Sequence, residues 1–317
     1  MKFVKFDNGD LMPALGLGTW KSAKGEVYKV VRESIEVGYR HFDCALLYGN
    51  EEEIGQAFYD AFKAGDISRE ELWITSKLWN NAHEPQNVLP NIHKSLKNLQ
   101  VDYLDLYLIH WPVALRSDVT FPSKGSELVS LKDIPLSKTW QSMIELQNAG
   151  LSRHIGVSNF SKKKMQNLID ETGVRPEVDQ VEMHPLLQQP DLLEFCNEKG
   201  IHMTAYAPLG SADRPENRKV VDEPGLFSNK IITQVAENKG ISIGQLLLAW
   251  AVNRGTSVIP KTVRKERLIE NLAAADLSLS DNEMAEMAKV NLNYRYIKGN
   301  FWCLEGSDYT LQNLWDE

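Results

Sequence analysis

Short apolar or β-branched runs alternate with longer amphipathic segments from about residue 15 to 262. The switch occurs eight times without a break in composition, which is strand followed by helix, repeated. The predicted strands are LGLGTW (15–20), HFDCA (41–45), LWITSKL (72–78), LDLYLIH (104–110), HIGVSNF (154–160), VDQVEMH (178–184), HMTAYAPL (202–209) and TSVIPKT (256–262). Between the first two, VYKVVRESIEVG sets Val27, Val30, Val31, Ser34 and Ile35 at helical spacing and stops at Gly38. NLIDETG, FCNEKG, VAENKG and MIELQNAG end in the same way. Ahead of the first strand, KFVKFDNGDLM reads as two short strands around Asn8-Gly9, a hairpin turn signal.

A doubly wound sheet shows the same alternation. Eight units at this length, with no GxGxxG after the first strand, favour a closed (β/α)8 barrel, one α/β domain over residues 1–317 with the hairpin plugging its bottom. Three segments break the period: 112–135, 210–228 and the tail 291–317. The two inserted loops follow strands four and seven, so in a barrel they wall the C-terminal mouth, where active sites are built.

Composition narrows the function classes. A net charge of −8 argues against a nucleic-acid or anionic-membrane partner. The three cysteines, Cys44, Cys196 and Cys303, form no CxxC pair and no metal-ligand spacing, so neither a disulfide framework nor a metal site is expected. With charges in MKFVKFDNGD where a signal peptide is apolar, and no apolar run of about 18 residues, a cytoplasmic protein is expected.

On this strand map Asp43, Lys77 and His110 lie at the ends of strands two, three and four, and Tyr48 lies in the loop after strand two. A phenol with a pKa near 10 is a poor acid at neutral pH, and a neighbouring ammonium, Lys77, is expected to lower it toward the working range. Asp43 would keep that ammonium charged, and His110 would orient a substrate carbonyl toward the phenol. Taken singly, the pair is also an ordinary rim ion pair, His110 a core histidine and Tyr48 a surface aromatic.

GYRHFDCALLYGNEEEIG (38–55), LSRHIGVSNF (151–160) and IPKTVRKERLIEN (259–271), in that order, resemble the three signatures of the aldo-keto reductase family. TSKLW around Lys77 and LIHWP around His110 extend the similarity over nearly the whole chain. The resemblance implies NADPH-dependent reduction of aldehydes and some ketones, with Tyr48 as proton donor, Lys77 and Asp43 tuning it, and His110 orienting the carbonyl. It puts Ser158, Asn159 and Gln180 at the nicotinamide carboxamide, Tyr206 on the ring face, and Asp43 with Thr19 and Trp20 beside them. Pro208, Leu209 and Ser211 follow along the cofactor, and Lys21 pairs with Asp213 across its pyrophosphate.

In the third motif Lys261 and Arg267 match the grip on the 2′-phosphate, with Thr262 and Val263, and Glu270 and Asn271 match the adenine contacts. Arg264 departs from many relatives, where a small or neutral residue is common; it is either a third cation near the phosphate or, slightly favoured on its own, one more solvated charge in the stretch Arg264, Lys265, Arg267. Trp20, Tyr48, Trp79, His110, Trp111, Phe121, Phe301 and Trp302 are expected to line the substrate pocket. Glu216 stands where the aldose reductase branch carries a pocket tryptophan, and the tail does not match that branch closely; medium-sized aromatic or aliphatic aldehydes are the default substrates, with sugars, keto acids and steroids left open. The family default is a monomer or a weak dimer. Two alternatives are an NADPH-binding sensor on the same barrel and a barrel lyase or isomerase using Lys77 as a Schiff-base amine.

Overall fold

A computed structural model describes residues 2–317. The chain opens with an antiparallel hairpin, β1 (Phe3–Lys5) and β2 (Leu11–Pro13). Strand and helix then alternate: β3 (Leu17–Gly18), α1 (Val27–Val37), β4 (His41–Asp43), α2 (Glu51–Ala64), β5 (Trp73–Leu78), α3 (Pro85–Leu99) and β6 (Leu104–Ile109). A small hairpin, β7 (Ala114–Leu115) and β8 (Leu128–Val129), interrupts the alternation before α4 (Leu136–Asn148). It resumes with β9 (Ser152–Ser158), α5 (Lys162–Thr172), β10 (Val178–Glu182), α6 (Pro190–Lys199) and β11 (His202–Tyr206). Two helices, α7 (Lys230–Lys239) and α8 (Ile243–Asn253), precede β12 (Ser257–Val258), and α9 (Lys265–Ala274), α10 (Asp281–Ala288) and α11 (Leu311–Trp315) complete the chain.

The eight central strands are all parallel, in the order β12-β11-β10-β9-β6-β5-β4-β3. Backbone bonds then join the two ends: Val258 N donates to Ala14 O at 2.8 Å, Gly16 N to Val258 O at 2.9 Å and Gly18 N to Pro260 O at 3.0 Å. The sheet is therefore a closed barrel with no free edge. At this seam a Cβ on Gly18 would lie 2.8 Å from the Ile259 carbonyl oxygen, so the approach admits only glycine. Each predicted strand is present, but β3 and β12 are much shorter than their apolar runs. Pro260 has no N–H to continue the ladder, and the residues beyond it run as irregular chain to α9.

The helices bury one face each against the barrel, as α1 does through Val27, Val30, Val31 and Ile35. Helix α10 was not anticipated, although the capping box of Ser280 and Glu283 is its sequence signature. No described helix is long and apolar enough to cross a membrane.

The hairpin closes the bottom as expected. Phe6 and Met12 pack on Trp73, Leu106, Leu108 and Val178, the last four lying on barrel strands. His154 packs against both Phe6 and Trp73, with ring centroids 4.3 and 5.1 Å away, and those two rings stack on each other at 5.2 Å. Its Nε2 is 2.9 Å from Asp10 and its Nδ1 2.6 Å from Glu177. Burial pulls this imidazolium down, but the bonds and charges of Glu177 and Asp10 pull harder, and its pKa is raised. A raised folded-state pKa contributes stability that is full below the unfolded value near about 6.5 and is lost as pH rises through the folded value. The melting temperature of His154→Gln should therefore fall furthest below wild type at mildly acidic pH and approach it under alkaline conditions. A pH-independent gap would refute this role.

Candidate active site

Three strand ends and one turn deliver the predicted side chains to one mouth. Lys77 is the penultimate residue of β5 and Asp43 ends β4; both are nearly fully buried, at 1% and 2% exposure. Lys77 Nζ donates to an Asp43 carboxylate oxygen, to Cys44 O at 2.9 Å and to the Tyr48 hydroxyl at 3.3 Å. The ammonium thus spends all three donors within the site. Tyr48 sits in the turn between β4 and α2, anchored by Asn50, whose side-chain amide donates to Thr19 O at 3.0 Å. On its other flank Glu51 accepts from Ser76 Oγ at 2.6 Å, and burial pushes the Glu51 carboxyl up to about 7. The Tyr48 and His110 rings meet edge to face at 5.8 Å.

Electrostatics follow from this geometry. Burial pulls Lys77 down, but Asp43 and Tyr48 outweigh it, so the ammonium is held above its usual value. Burial, Lys77 and His83 all push His110 well below its usual value, leaving a neutral imidazole. For Tyr48 the expectation is corrected. Burial pushes the phenol up to about 12, and Lys77 only partly offsets it. The low-dielectric mouth penalises the phenolate more than one ammonium at 3.3 Å favours it. Tyr48 is therefore a protonated phenol at neutral pH.

A second layer connects residues far apart in sequence. Gln180 Nε2 donates to the other Asp43 oxygen at 2.7 Å. Asn159 Nδ2 donates to His110 O at 2.9 Å, Ser158 Oγ to Gln180 O at 2.7 Å, and Tyr206 OH to Asn159 Oδ1 at 2.7 Å. Ser158, Asn159, Gln180 and Tyr206 thus form one network, and the donor amides of Gln180 and Asn159 are already used inside it. Lys21 donates to Asp213 O at 2.9 Å and lies 3.7 Å from its carboxylate, tying the loop after β11 to the end of β3. Beyond β12, Lys265 pairs with Glu36, whereas Lys261, Arg264 and Arg267 have no carboxylate partner among the described residues. Thr262 Oγ1 accepts from Arg264 N at 3.2 Å, Asn271 is buried, and Glu270 is engaged by Ser242. Three uncompensated cations at one helix start fit a phosphate dianion.

The aromatic residues gather over the same mouth. Trp79 lies 5.0 Å from His110, 6.0 Å from Phe121 and 5.7 Å from Trp302. Trp111 contacts Phe301 and Trp302 at 5.6 and 5.9 Å. Trp20 is exposed, with the Lys21 ammonium over its ring at 4.2 Å.

The family model of the aldo/keto reductases matches residues 14–292. The chain belongs to the aldo/keto reductase family. This reductase is 52% identical to an aldo/keto reductase of Synechocystis sp. over 317 residues, 100% of this chain and 97% of that protein. It is 42% identical over 296 residues to aldo-keto reductase family 1 member A1 of Homo sapiens, 93% of this chain and 90% of that one. Among solved structures the aldose reductase from Schistosoma japonicum superposes with a TM-score of 0.86 at 36% identity, covering 98% of this chain and 100% of that one. Membership makes this an oxidoreductase of a family that generally reduces small carbonyl compounds with NADPH.

Sequence reasoning missed several residues that shape the reductase's mouth. Arg218 lies over the Phe301 ring at 4.5 Å, and the Tyr309 hydroxyl bridges Ala114 N at 2.9 Å and Val129 O at 2.8 Å, pinning the tail to the β7–β8 hairpin. Tyr309 lies outside every motif, so only its aromatic character in a polar tail could have signalled it.

Proposed function

We propose that this chain reduces aldehydes and some ketones to alcohols, with Tyr48 delivering the proton to the carbonyl oxygen. The observation that carries the reading is the Tyr48 hydroxyl held 3.3 Å from a buried Lys77 that Asp43 keeps charged. NADPH, when bound, supplies the hydride. The high Tyr48 pKa keeps the proton on the phenol until a carbonyl oxygen gains charge, and Lys77 stabilises the phenolate left behind. Neutral His110 offers a ring nitrogen to the same oxygen and orients the carbonyl.

Ser158, Asn159 and Gln180 would hold the nicotinamide carboxamide through atoms their own network leaves available, with Tyr206 against the ring and Thr19, Trp20, Pro208, Leu209 and Ser211 along the cofactor. Lys261, Thr262, Val263, Arg264 and Arg267 would grip the 2′-phosphate, Glu270 and Asn271 the adenine, and Lys21 with Asp213 would close over the pyrophosphate. The cluster of Lys261, Arg264 and Arg267, which has no carboxylate partner among the described residues, supports NADPH over NADH. The aromatic mouth supports medium-sized aromatic or aliphatic aldehydes as substrates, and water exclusion by those rings strengthens each polar contact beneath them. The reductase works as one domain over residues 1–317, in the cytoplasm.

The test is the loss of NADPH absorbance with aromatic, aliphatic, sugar and keto-acid carbonyls, run in parallel with NADH. Turnover that prefers NADPH and aldehydes is expected. NADPH binding without turnover on any carbonyl would transfer the assignment to a sensor on the same barrel.

A further inference from the structure

Lys164 lies on α5, on the outside of the barrel, and is 8% exposed. Its ammonium donates to Asn313 O at 2.6 Å, Leu314 O at 3.0 Å and Asp316 Oδ2 at 2.5 Å. Ser161 Oγ donates to the same Asp316 oxygen at 2.5 Å. A buried ammonium is costly unless its donors are met. Here the carbonyls at the end of α11 and one carboxylate meet them, so the cation and the tail segment hold each other in place.

What α11 carries is the pocket wall. Leu314 is buried in one apolar cluster with Trp79, Trp111, Val113, Leu115, Trp302 and Tyr309. Trp315 packs on Trp111 at 5.9 Å and donates through Nε1 to Lys298 O at 2.8 Å. Gly299, with φ of 80°, passes so close to Leu314 that a Cβ there would be 2.5 Å from its Cδ2. The next turn, from Asn300 to Trp302, holds Phe301 and Trp302. A displacement of α11 therefore moves the segment that presents these two rings to the substrate.

We propose that Lys164 is a specificity-determining positioning residue, a latch that fixes the tail wall of the substrate pocket while taking no part in the chemistry at Tyr48. The inference rests on the carbonyl-reductase reading of that pocket. A small aldehyde needs only the Tyr48, Lys77 and His110 groups, whereas an aromatic aldehyde also needs the wall formed by Trp111, Phe301 and Trp302. Loosening the latch should penalise the second and spare the first.

The experiment compares the full-length wild type with Lys164→Met, Lys164→Arg and Asp316→Asn, using propanal and p-nitrobenzaldehyde. Tryptophan emission is recorded for each protein, since Trp79, Trp111, Trp302 and Trp315 share the wall. For Lys164→Met, KM for the aromatic aldehyde is expected to rise about ten-fold or more, the range a lost pocket contact produces, with kcat for propanal within about two-fold. NADPH affinity should be unchanged, emission should shift red, and Lys164→Arg should recover part of the aromatic KM. If Lys164→Met does not fold, Asp316→Asn carries the same expectation.

Unchanged aromatic KM, or equal losses on both aldehydes, would overturn the latch. Failure of wild type to turn over either aldehyde would instead count against the reductase reading. The latch would then stand or fall on the emission shift alone.

Discussion

Tyr48→Phe keeps NADPH binding and loses about 10³-fold or more of kcat, the scale expected for a positioned general acid. The substitution removes one oxygen and preserves the ring, so the edge-to-face contact with His110 at 5.8 Å survives. Lys77 loses one acceptor but keeps Asp43 and Cys44 O, and so stays in place. The remaining site still binds and orients the carbonyl, but no protein group delivers the proton. Steady-state reduction together with a fluorescence titration of NADPH checks both halves. Retention of kcat within about ten-fold would remove Tyr48 as the donor.

Lys77→Met costs both stability and turnover. It leaves the Asp43 carboxylate buried with only the Gln180 amide and no cation, and breaking a buried pair from one side costs about 3–5 kcal/mol. The double variant Asp43→Asn/Lys77→Met removes both charges and should recover much of that loss, because no uncompensated ion remains. It should recover none of the turnover, since the phenolate left by proton transfer would still lack its ammonium. Urea unfolding of wild type, both single variants and the double variant measures the coupling. Equal destabilisation of the single and double variants would mean that packing of the lysine stem, not charge, holds this part of the mouth.

The barrel was legible because strand and helix periods differ, and eight repetitions of one change of period leave few architectures. The convergence of these side chains was legible because Asp43 ends β4, Lys77 is the penultimate residue of β5 and His110 directly follows β6, which in a parallel barrel places them on one rim. Their energetics were not. Whether Tyr48 is lowered by Lys77 or raised by its surroundings depends on how much solvent the mouth excludes, a three-dimensional quantity. The family resemblance put Gln180 beside the nicotinamide, but its bond to Asp43, 137 positions away, has no local trace. Strand length at the seam was overread, because the apolar run 256–262 continues past Pro260, where the hydrogen-bond ladder cannot. In the sequence Lys164 is one of three consecutive lysines, Lys162 to Lys164, with nothing local to set it apart. Only the return of residues 313–316 to α5 distinguishes it.

The seam between β3 and β12 also dictates an order of assembly. Its hydrogen bonds join Ala14, Gly16 and Gly18 to Val258 and Pro260, so the ring cannot shut during synthesis until some 240 residues beyond β3 have been made. Until then the sheet has two raw edges, with the N-terminal strand waiting for its last neighbour. Lys21 follows one side of the seam and Lys261 the other; burial depresses the Lys21 ammonium against the pull of Asp213, and the Lys261 charge adds to that depression. A dinucleotide held by both would staple the join, favouring the closed ring by mass action and sparing the newly made chain from edge-to-edge aggregation.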